Sequence, residues 1–254
     1  MGKVIAIANQ KGGVGKTTTA INLSACLAEL GKDVLLVDFD PQGNTSSGLS
    51  VKAEDRTAYE ALLGSQPIQR CVFPTMLSHL KVVPSDIRLA NAEPALVSAQ
   101  EREYQLKRAL SSVINDFQYI FIDCPPSLGL LTVNALTAAH RLLVPIQCEY
   151  YALEGLSSLT YTIDRIKRVS NPGLEIEGML LTMLDGRTNL SIQVVDTVKK
   201  HFKGLVYATA IPRNIRLGEA PSHGLPIHLY DPRSIGAESY RRLAEEFLRR
   251  DARQ

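Results

Sequence analysis

Residues 4–18 read Val4-Ile5-Ala6-Ile7-Ala8-Asn9-Gln10-Lys11-Gly12-Gly13-Val14-Gly15-Lys16-Thr17-Thr18. Five apolar residues run straight into three glycines, two lysines and two threonines. A strand, a glycine-rich turn and a helix start form an anion trap. The glycines let successive N–H groups point inward, and the helix adds its positive dipole end. The general phosphate-binding loop is G-x-x-x-x-G-K-[ST]. Gly15, Lys16 and Thr17 fit it, but Gln10 stands at the first glycine position and Lys11 opens the loop. Lys16 is expected at the β- and γ-phosphates of a nucleotide, the Thr17 hydroxyl on Mg²⁺, and Thr18 nearer the α-phosphate.

Outward from this loop, short apolar runs alternate with helix-like segments. Strands are predicted over Lys3–Ala8, Asp33–Asp38, Leu80–Val83, Tyr119–Asp123, Arg141–Ile146, Glu175–Leu184 and Val206–Ile211. Helices are predicted over Lys16–Leu30 (ended by Gly31), Thr57–Leu63, Tyr104–Asp116, Gly129–Ala139, Ala152–Val169, Leu190–Phe202 and Ser234–Arg250. Strands rich in Leu, Ile and Val, separated by helices, imply burial on both sheet faces. The fold class is α/β: a doubly wound, mostly parallel sheet flanked by helices, as one domain over residues 1–254.

Two further strands end in acid. Val34–Val37 leads into Asp38-Phe39-Asp40-Pro41-Gln42-Gly43, and Tyr119–Ile122 leads into Asp123-Cys124-Pro125-Pro126. Ligands of open α/β sheets bind at the carboxyl ends of strands. Asp123 is therefore expected to hold Mg²⁺ through water. Asp40 is the candidate to orient an attacking water and a second candidate metal partner through water. Asp38 reads equally well as a capping or loop residue. No histidine lies near these motifs, which fits phosphoryl transfer, where positioning and charge outweigh a strong base.

Composition narrows the alternatives. Four cysteines show no C-x-x-C spacing, so zinc and iron–sulfur frameworks are not expected, and scattered reduced thiols fit a cytosolic protein. No apolar stretch approaches the roughly 18 residues of a membrane span. No signal peptide is expected before the first strand, and no DNA-binding domain is expected before the loop, which begins at residue 9. Residues 1–186 hold 16 Lys/Arg against 19 Asp/Glu, whereas residues 187–254 hold 12 against 7. A basic last quarter is compatible with an anionic partner, and equally with a solvated surface.

The run Lys11–Thr18 resembles the deviant loop of the MinD/ParA family of P-loop ATPases. The resemblance extends to Val37–Asn44, to Ile122–Ser127, and to Ile211-Pro212-Arg213-Asn214-Ile215-Arg216-Leu217-Gly218-Glu219-Ala220-Pro221-Ser222-His223-Gly224, which is similar to chromosomal ParA proteins. Residues 50–115 carry little of it. The resemblance implies an ATP-dependent sandwich homodimer. Lys11 would then cross the interface to the other subunit's phosphates, and Gly12 would stay small because two loops face each other. Together with Gly13, Val14, Gly15, Lys16, Thr17 and Thr18, these residues would cradle ATP. It places adenine by Pro212, Arg213 and Asn214, with Leu181–Asp185 a second approach to the base. Catalytic weight falls on Lys11, Lys16 and Asp40.

Such dimers bind double-stranded DNA without sequence preference, and the contacting arginines correspond to Arg187 and Arg216. Lys199, Lys200 and Lys203 either extend that patch or form a solvated helix face. A ParB-type centromere-binding protein would stimulate hydrolysis, in a cytoplasmic, nucleoid-associated setting. The alternative within the family is MinD-like membrane attachment through the last helix. Its apolar stripe Tyr240, Leu243, Ala244, Phe247 and Leu248 is interrupted by Glu238, Glu245 and Glu246, so it reads as docked on its own domain, and no stable membrane association is expected.

Overall fold

The computed structural model describes residues 2–97, 99–149 and 152–253. Seven strands form one sheet: β1 (Lys3–Ile7), β2 (Val34–Asp38), β3 (Phe73–Pro74), β4 (Leu80–Val83), β5 (Tyr119–Asp123), β6 (Arg141–Gln147) and β7 (Glu175–Thr182). Their order across the sheet is β3-β4-β2-β5-β1-β6-β7. All pairings are parallel except β3 with β4.

Period two of the strands divides the core. Val4 and Ala6, with Leu35, Val37, Ile120 and Ile122, face one layer. Ile5 and Ile7, with Leu36, Phe121 and Leu143, face the other. Both faces are buried, so the strands read as continuous apolar runs rather than alternating ones.

The α-helices are α1 (Lys16–Glu29), α2 (Asn44–Gly48), α3 (Ala58–Leu63), α4 (Ala92–Leu96), α5 (Gln105–Ser111), α6 (Leu130–Ala138), α7 (Ala152–Val169), α8 (Asn189–His201), α9 (Ile215–Glu219), α10 (Ile227–Tyr230) and α11 (Ile235–Asp251). Helix α1 stops where Gly31 takes φ 72°, and Lys32 N donates back to Leu27 O. That is the left-handed termination glycine permits.

Helix α11 buries Ala237, Tyr240, Leu243, Ala244 and Phe247 against α1 and the sheet. The Phe247 ring stands edge-on to Tyr119, with centroids 5.2 Å apart. The apolar stripe is thus spent inside the core, as the interspersed glutamates indicated. Among the described residues no helix is long and apolar enough to cross a membrane.

Two predicted elements differ. Val206–Ile211 is not a strand but an extended segment beside β7, with only isolated bridges at Val206 and Pro212. Its ends bond to β7 and to Leu184, through Tyr207 N to Met179 O and Leu184 N to Ile211 O. Between those ends, Ala208 N and Thr209 N donate to the Glu246 carboxylate of α11, at 2.8 Å each. A glutamate takes the donors a ladder would need. The predicted helix Tyr104–Asp116 is α-helical only over Gln105–Ser111. Beyond it Val113 N reaches Leu110 O and Asp116 N reaches Val113 O, the tighter i→i−3 pattern.

Candidate functional site: a phosphate loop at the carboxyl edge of the sheet

Register builds the site. Ile7 of β1 and Asp38 of β2 are both level with Asp123 of β5. The loop leaving β1 therefore starts beside the two strand-end acids, at the centre of the sheet edge. The loop closes over α1 through left-handed Gly13 (φ 73°) and Gly15 (φ 88°), conformations that cost a Cβ-bearing residue about 1–2 kcal/mol. It is tied down on both sides. Asn9 Nδ2 donates to Pro145 O at 2.7 Å, and Thr182 Oγ1 at the end of β7 donates to Val14 O at 2.8 Å.

The two lysines behave differently. Lys16 is buried, and its Nζ donates to Lys11 O at 3.2 Å, lying across the inside of its own loop. Burial lowers its pKa, with Asp123 and Asp40 opposing. Lys11 points out of the loop, and its Nζ pairs with Glu149 Oε2 at 3.3 Å. Glu149 also receives Gln147 Nε2 at 2.6 Å and faces Arg213 at 3.9 Å.

Three acids lie beneath. Asp123 is wholly buried and accepts from Thr45 Oγ1 at 2.8 Å, while its Oδ1 has no hydrogen-bond partner among the described residues. Burial pushes its pKa up to about 6, against the pull of the Thr45 and Thr17 hydroxyls and of Lys16. A buried carboxylate oxygen without a donor is costly unless something outside the chain meets it. Together with the neighbouring Thr17 hydroxyl, that all-oxygen set suits Mg²⁺.

Asp40 is buried, and its Oδ1 accepts from Gln42 N at 3.0 Å. Asp38 is a holding residue. Its Oδ2 accepts from Ser46 N at 2.8 Å and Ser46 Oγ at 2.6 Å, fixing α2 over the strand end. Burial and neighbouring Asp123 push Asp38 up to about 7.

Pro212, Arg213 and Asn214 come together with Met183, Gly15 and Thr18 around a mostly apolar slot of about 200 Å³ beside the loop. Met183 takes φ 51°, unusual for a residue with a long side chain. Asp185 is a turn residue: its Oδ1 accepts from Arg187 N, and its carboxylate takes the Arg187 guanidinium at 2.8–2.9 Å. Arg187 is 89% exposed. Arg216, on α9, pairs with Glu219 at 2.8 Å and Asp231 at 3.5 Å. Both predicted arginines are on the surface.

Sequence reading missed Thr45, Ser46 and Glu149; it included Thr182 only within Leu181–Asp185, not as the residue that ties down the loop. A signal for the first two existed: Asn44-Thr45-Ser46-Ser47 puts three hydroxyls directly after an acidic strand end. Glu149 stands just past β6, the position rule that found Asp38 and Asp123.

Residues 2–176 match the family described as an AAA domain. The sporulation initiation inhibitor protein Soj of Bacillus subtilis is 58% identical over 97% of this chain and 98% of its own length. The chromosome partitioning protein ParA of Myxococcus xanthus is 55% identical over 99% of this chain and 89% of its own. The structure of cobyrinic acid a,c-diamide synthase from Mycobacterium smegmatis, solved with ADP and magnesium, superposes with a TM-score of 0.87. It is 39% identical, over 99% of this chain and 96% of that one. With the deviant loop, the paired strand-end acids and this likeness along nearly its whole length, the chain belongs to the Soj/ParA group of the MinD/ParA family of P-loop ATPases.

Proposed function

We propose that the protein is a Mg²⁺-dependent ATPase that partitions the origin region of the chromosome. ATP closes two copies into a sandwich dimer, the dimer binds double-stranded DNA without sequence preference, and a ParB-type centromere-binding protein stimulates hydrolysis and release. The observation that carries this reading is the division of labour between the lysines. Lys16 lies across its own cradle, whereas Lys11 leaves it and pairs on the rim with Glu149. A cation at the mouth of the loop, unused by its own phosphates, is suited to another subunit's.

Gly12 supports the same reading. Its φ is not left-handed, and a Cβ there would meet nothing nearer than Pro126 Cβ at 3.9 Å. Nothing among the described residues of the protomer demands glycine, so the demand for a small residue is attributed to the facing subunit.

Lys16 and the loop amides hold the phosphates, and the apolar slot at Pro212, Arg213 and Asn214 receives adenine. Thr17 directly and Asp123 through water would hold Mg²⁺, with Asp40 as a second carboxylate near enough to share its water. Bound there, Mg²⁺ would supply charge neutralisation to the phosphates. Asp40, held by Gln42 N, orients the water that attacks the γ-phosphorus as the bond to the bridging oxygen breaks. The partner's Lys11 supplies charge in trans, in the manner of an arginine finger.

Arg187 and Arg216 are the DNA contacts. Their ion pairs are exposed and solvent-screened, so they hold the guanidinium groups loosely and give way to phosphate. Binding through phosphates alone is salt-sensitive and non-specific. The setting is cytoplasmic and nucleoid-associated. The buried stripe of α11 disfavours the MinD-like membrane alternative.

Lys11→Ala and Lys16→Ala, compared side by side, test this. Lys16→Ala should lose ATP binding. Lys11→Ala should bind ATP as a monomer by light scattering and hydrolyse it no faster with the partner present. A Lys11→Ala protein that dimerises with ATP as the parent does overturns the assignment.

A further inference from the structure

We propose that Cys26, Glu29 and His228 form a site for one zinc-class divalent cation, remote from the phosphate loop. One ligand atom from each residue lies within 4.8 Å of the other two. Cys26 and Glu29 are three apart on α1 and so share a face. The site lies about 15 Å along α1 from Lys16, from the rise of an α-helix.

The imidazole supplies an independent observation. His228 is 3% exposed, and neither Nδ1 nor Nε2 has a hydrogen-bond partner among the described residues. An apolar side chain would fill the same space without that penalty, since each buried unsatisfied polar group costs about 1–3 kcal/mol. The ring's place is fixed by its neighbour: Ile227 N donates to Asn22 Oδ1 of α1 at 2.7 Å. Helix α10 is thus pinned to α1 next to the residue whose nitrogens are unpaired.

The donor set selects the ion. Thiolate, imidazole and carboxylate together suit Zn²⁺ in tetrahedral geometry, with water as fourth ligand, and do not suit Mg²⁺ or Ca²⁺. Cys26 is 1% exposed, while Glu29 is surface-exposed and pairs with Arg241 at 3.5 Å. Entry is therefore from the Glu29 side, one carboxylate oxygen turning to the ion while the other keeps Arg241. Binding transfers the Cys26 thiol proton to solvent and forms an S–metal bond. The ion would tie α10, which follows the Pro212–Gly224 segment, to the helix that begins at the phosphate loop.

The test uses full-length protein with excess Mg²⁺ and adds Co²⁺ as a spectroscopic substitute, then Zn²⁺ alone. The parent should bind one equivalent of Co²⁺ with thiolate-to-metal charge-transfer absorption in the near ultraviolet. Zn²⁺ should abolish that absorption and raise the melting temperature. Cys26→Ser should lose the absorption. Glu29→Gln, a surface change that leaves the fold intact, should weaken binding by at least about tenfold, the order seen for removing even outer partners of a metal site. No charge-transfer absorption in the parent, or full absorption in Cys26→Ser or unweakened binding in Glu29→Gln, overturns the proposal.

Discussion

Replacing Gly12 by valine separates the demands of folding from those of dimerisation. Within the protomer the substitution is nearly free. Gly12 is exposed, its φ lies outside the left-handed region, and among the described residues a Cβ would meet only Pro126 Cβ at 3.9 Å, an ordinary contact. Surface changes of this kind shift stability by no more than about 0.5 kcal/mol. For a chain of this size that is a melting-temperature change of about 1–2 °C. The neighbouring glycines give the contrast. Gly13 at φ 73° and Gly15 at φ 88° are left-handed, and alanine at either costs about 1–2 kcal/mol, or roughly 2–8 °C.

Across two apposed loops, by contrast, two valines would face each other where the proposal leaves room for hydrogen atoms only. Three assays on one preparation read this: thermal unfolding without nucleotide, binding of a fluorescent ATP analogue, and light scattering with ATP and Mg²⁺. Gly12→Val should melt with the parent, bind the analogue, and stay monomeric. Dimerisation equal to the parent's would refute the facing-loop argument. A fall of many degrees in melting temperature would refute the claim that Gly12 is free within its own chain.

Asp40→Ala should still bind ATP and dimerise but hydrolyse slowly, as followed by phosphate release; unchanged turnover removes Asp40 from the chemistry. Asp123 gives a pH-dependent prediction. Its folded pKa, pushed up to about 6, exceeds the unfolded value of about 3.9. Its contribution is therefore fully present below the unfolded value and is lost as pH rises through the folded one. Asp123→Asn removes that loss, so without nucleotide or Mg²⁺ the variant should be more stable than the parent at about pH 8, on the order of 1–3 kcal/mol, with the gap closing near about pH 4. The same variant should lose Mg²⁺-dependent hydrolysis. A melting-temperature difference independent of pH would contradict the buried-charge account.

The central strands were legible because β1, β2 and β5 are buried on both faces, and burial leaves an apolar run that ends abruptly at Asp38 and Asp123. The loop was legible because its geometry demands glycine at Gly13 and Gly15. Elements held by tertiary contacts were not. β3 is two residues at an edge, one of them proline, and no pattern survives at that length. α2 is Asn-Thr-Ser-Ser-Gly, held over the strand by Asp38 rather than by an apolar face. Val206–Ile211 carries a strand's composition, and a glutamate 37 and 38 residues further on captures its middle donors. Lys16, Asp123 and Pro212–Asn214 were each singled out in sequence, and the structure brings them to one edge of the sheet. Glu149 follows a strand end as Asp38 and Asp123 do, but its pairing with Lys11 was not legible, because it depends on the β6 end and the loop being neighbours in space.

In the proposed cycle, nucleotide state controls DNA affinity. Co-sedimentation with non-specific double-stranded DNA, and in parallel with anionic liposomes, tests it in the presence of ATP, ADP or no nucleotide, using the parent and Arg187→Glu. The account predicts that the parent pellets with DNA only with ATP and Mg²⁺, never with liposomes, and that Arg187→Glu dimerises yet stays in solution at physiological salt. DNA binding that is indifferent to nucleotide, or ATP-dependent pelleting with liposomes, would contradict it.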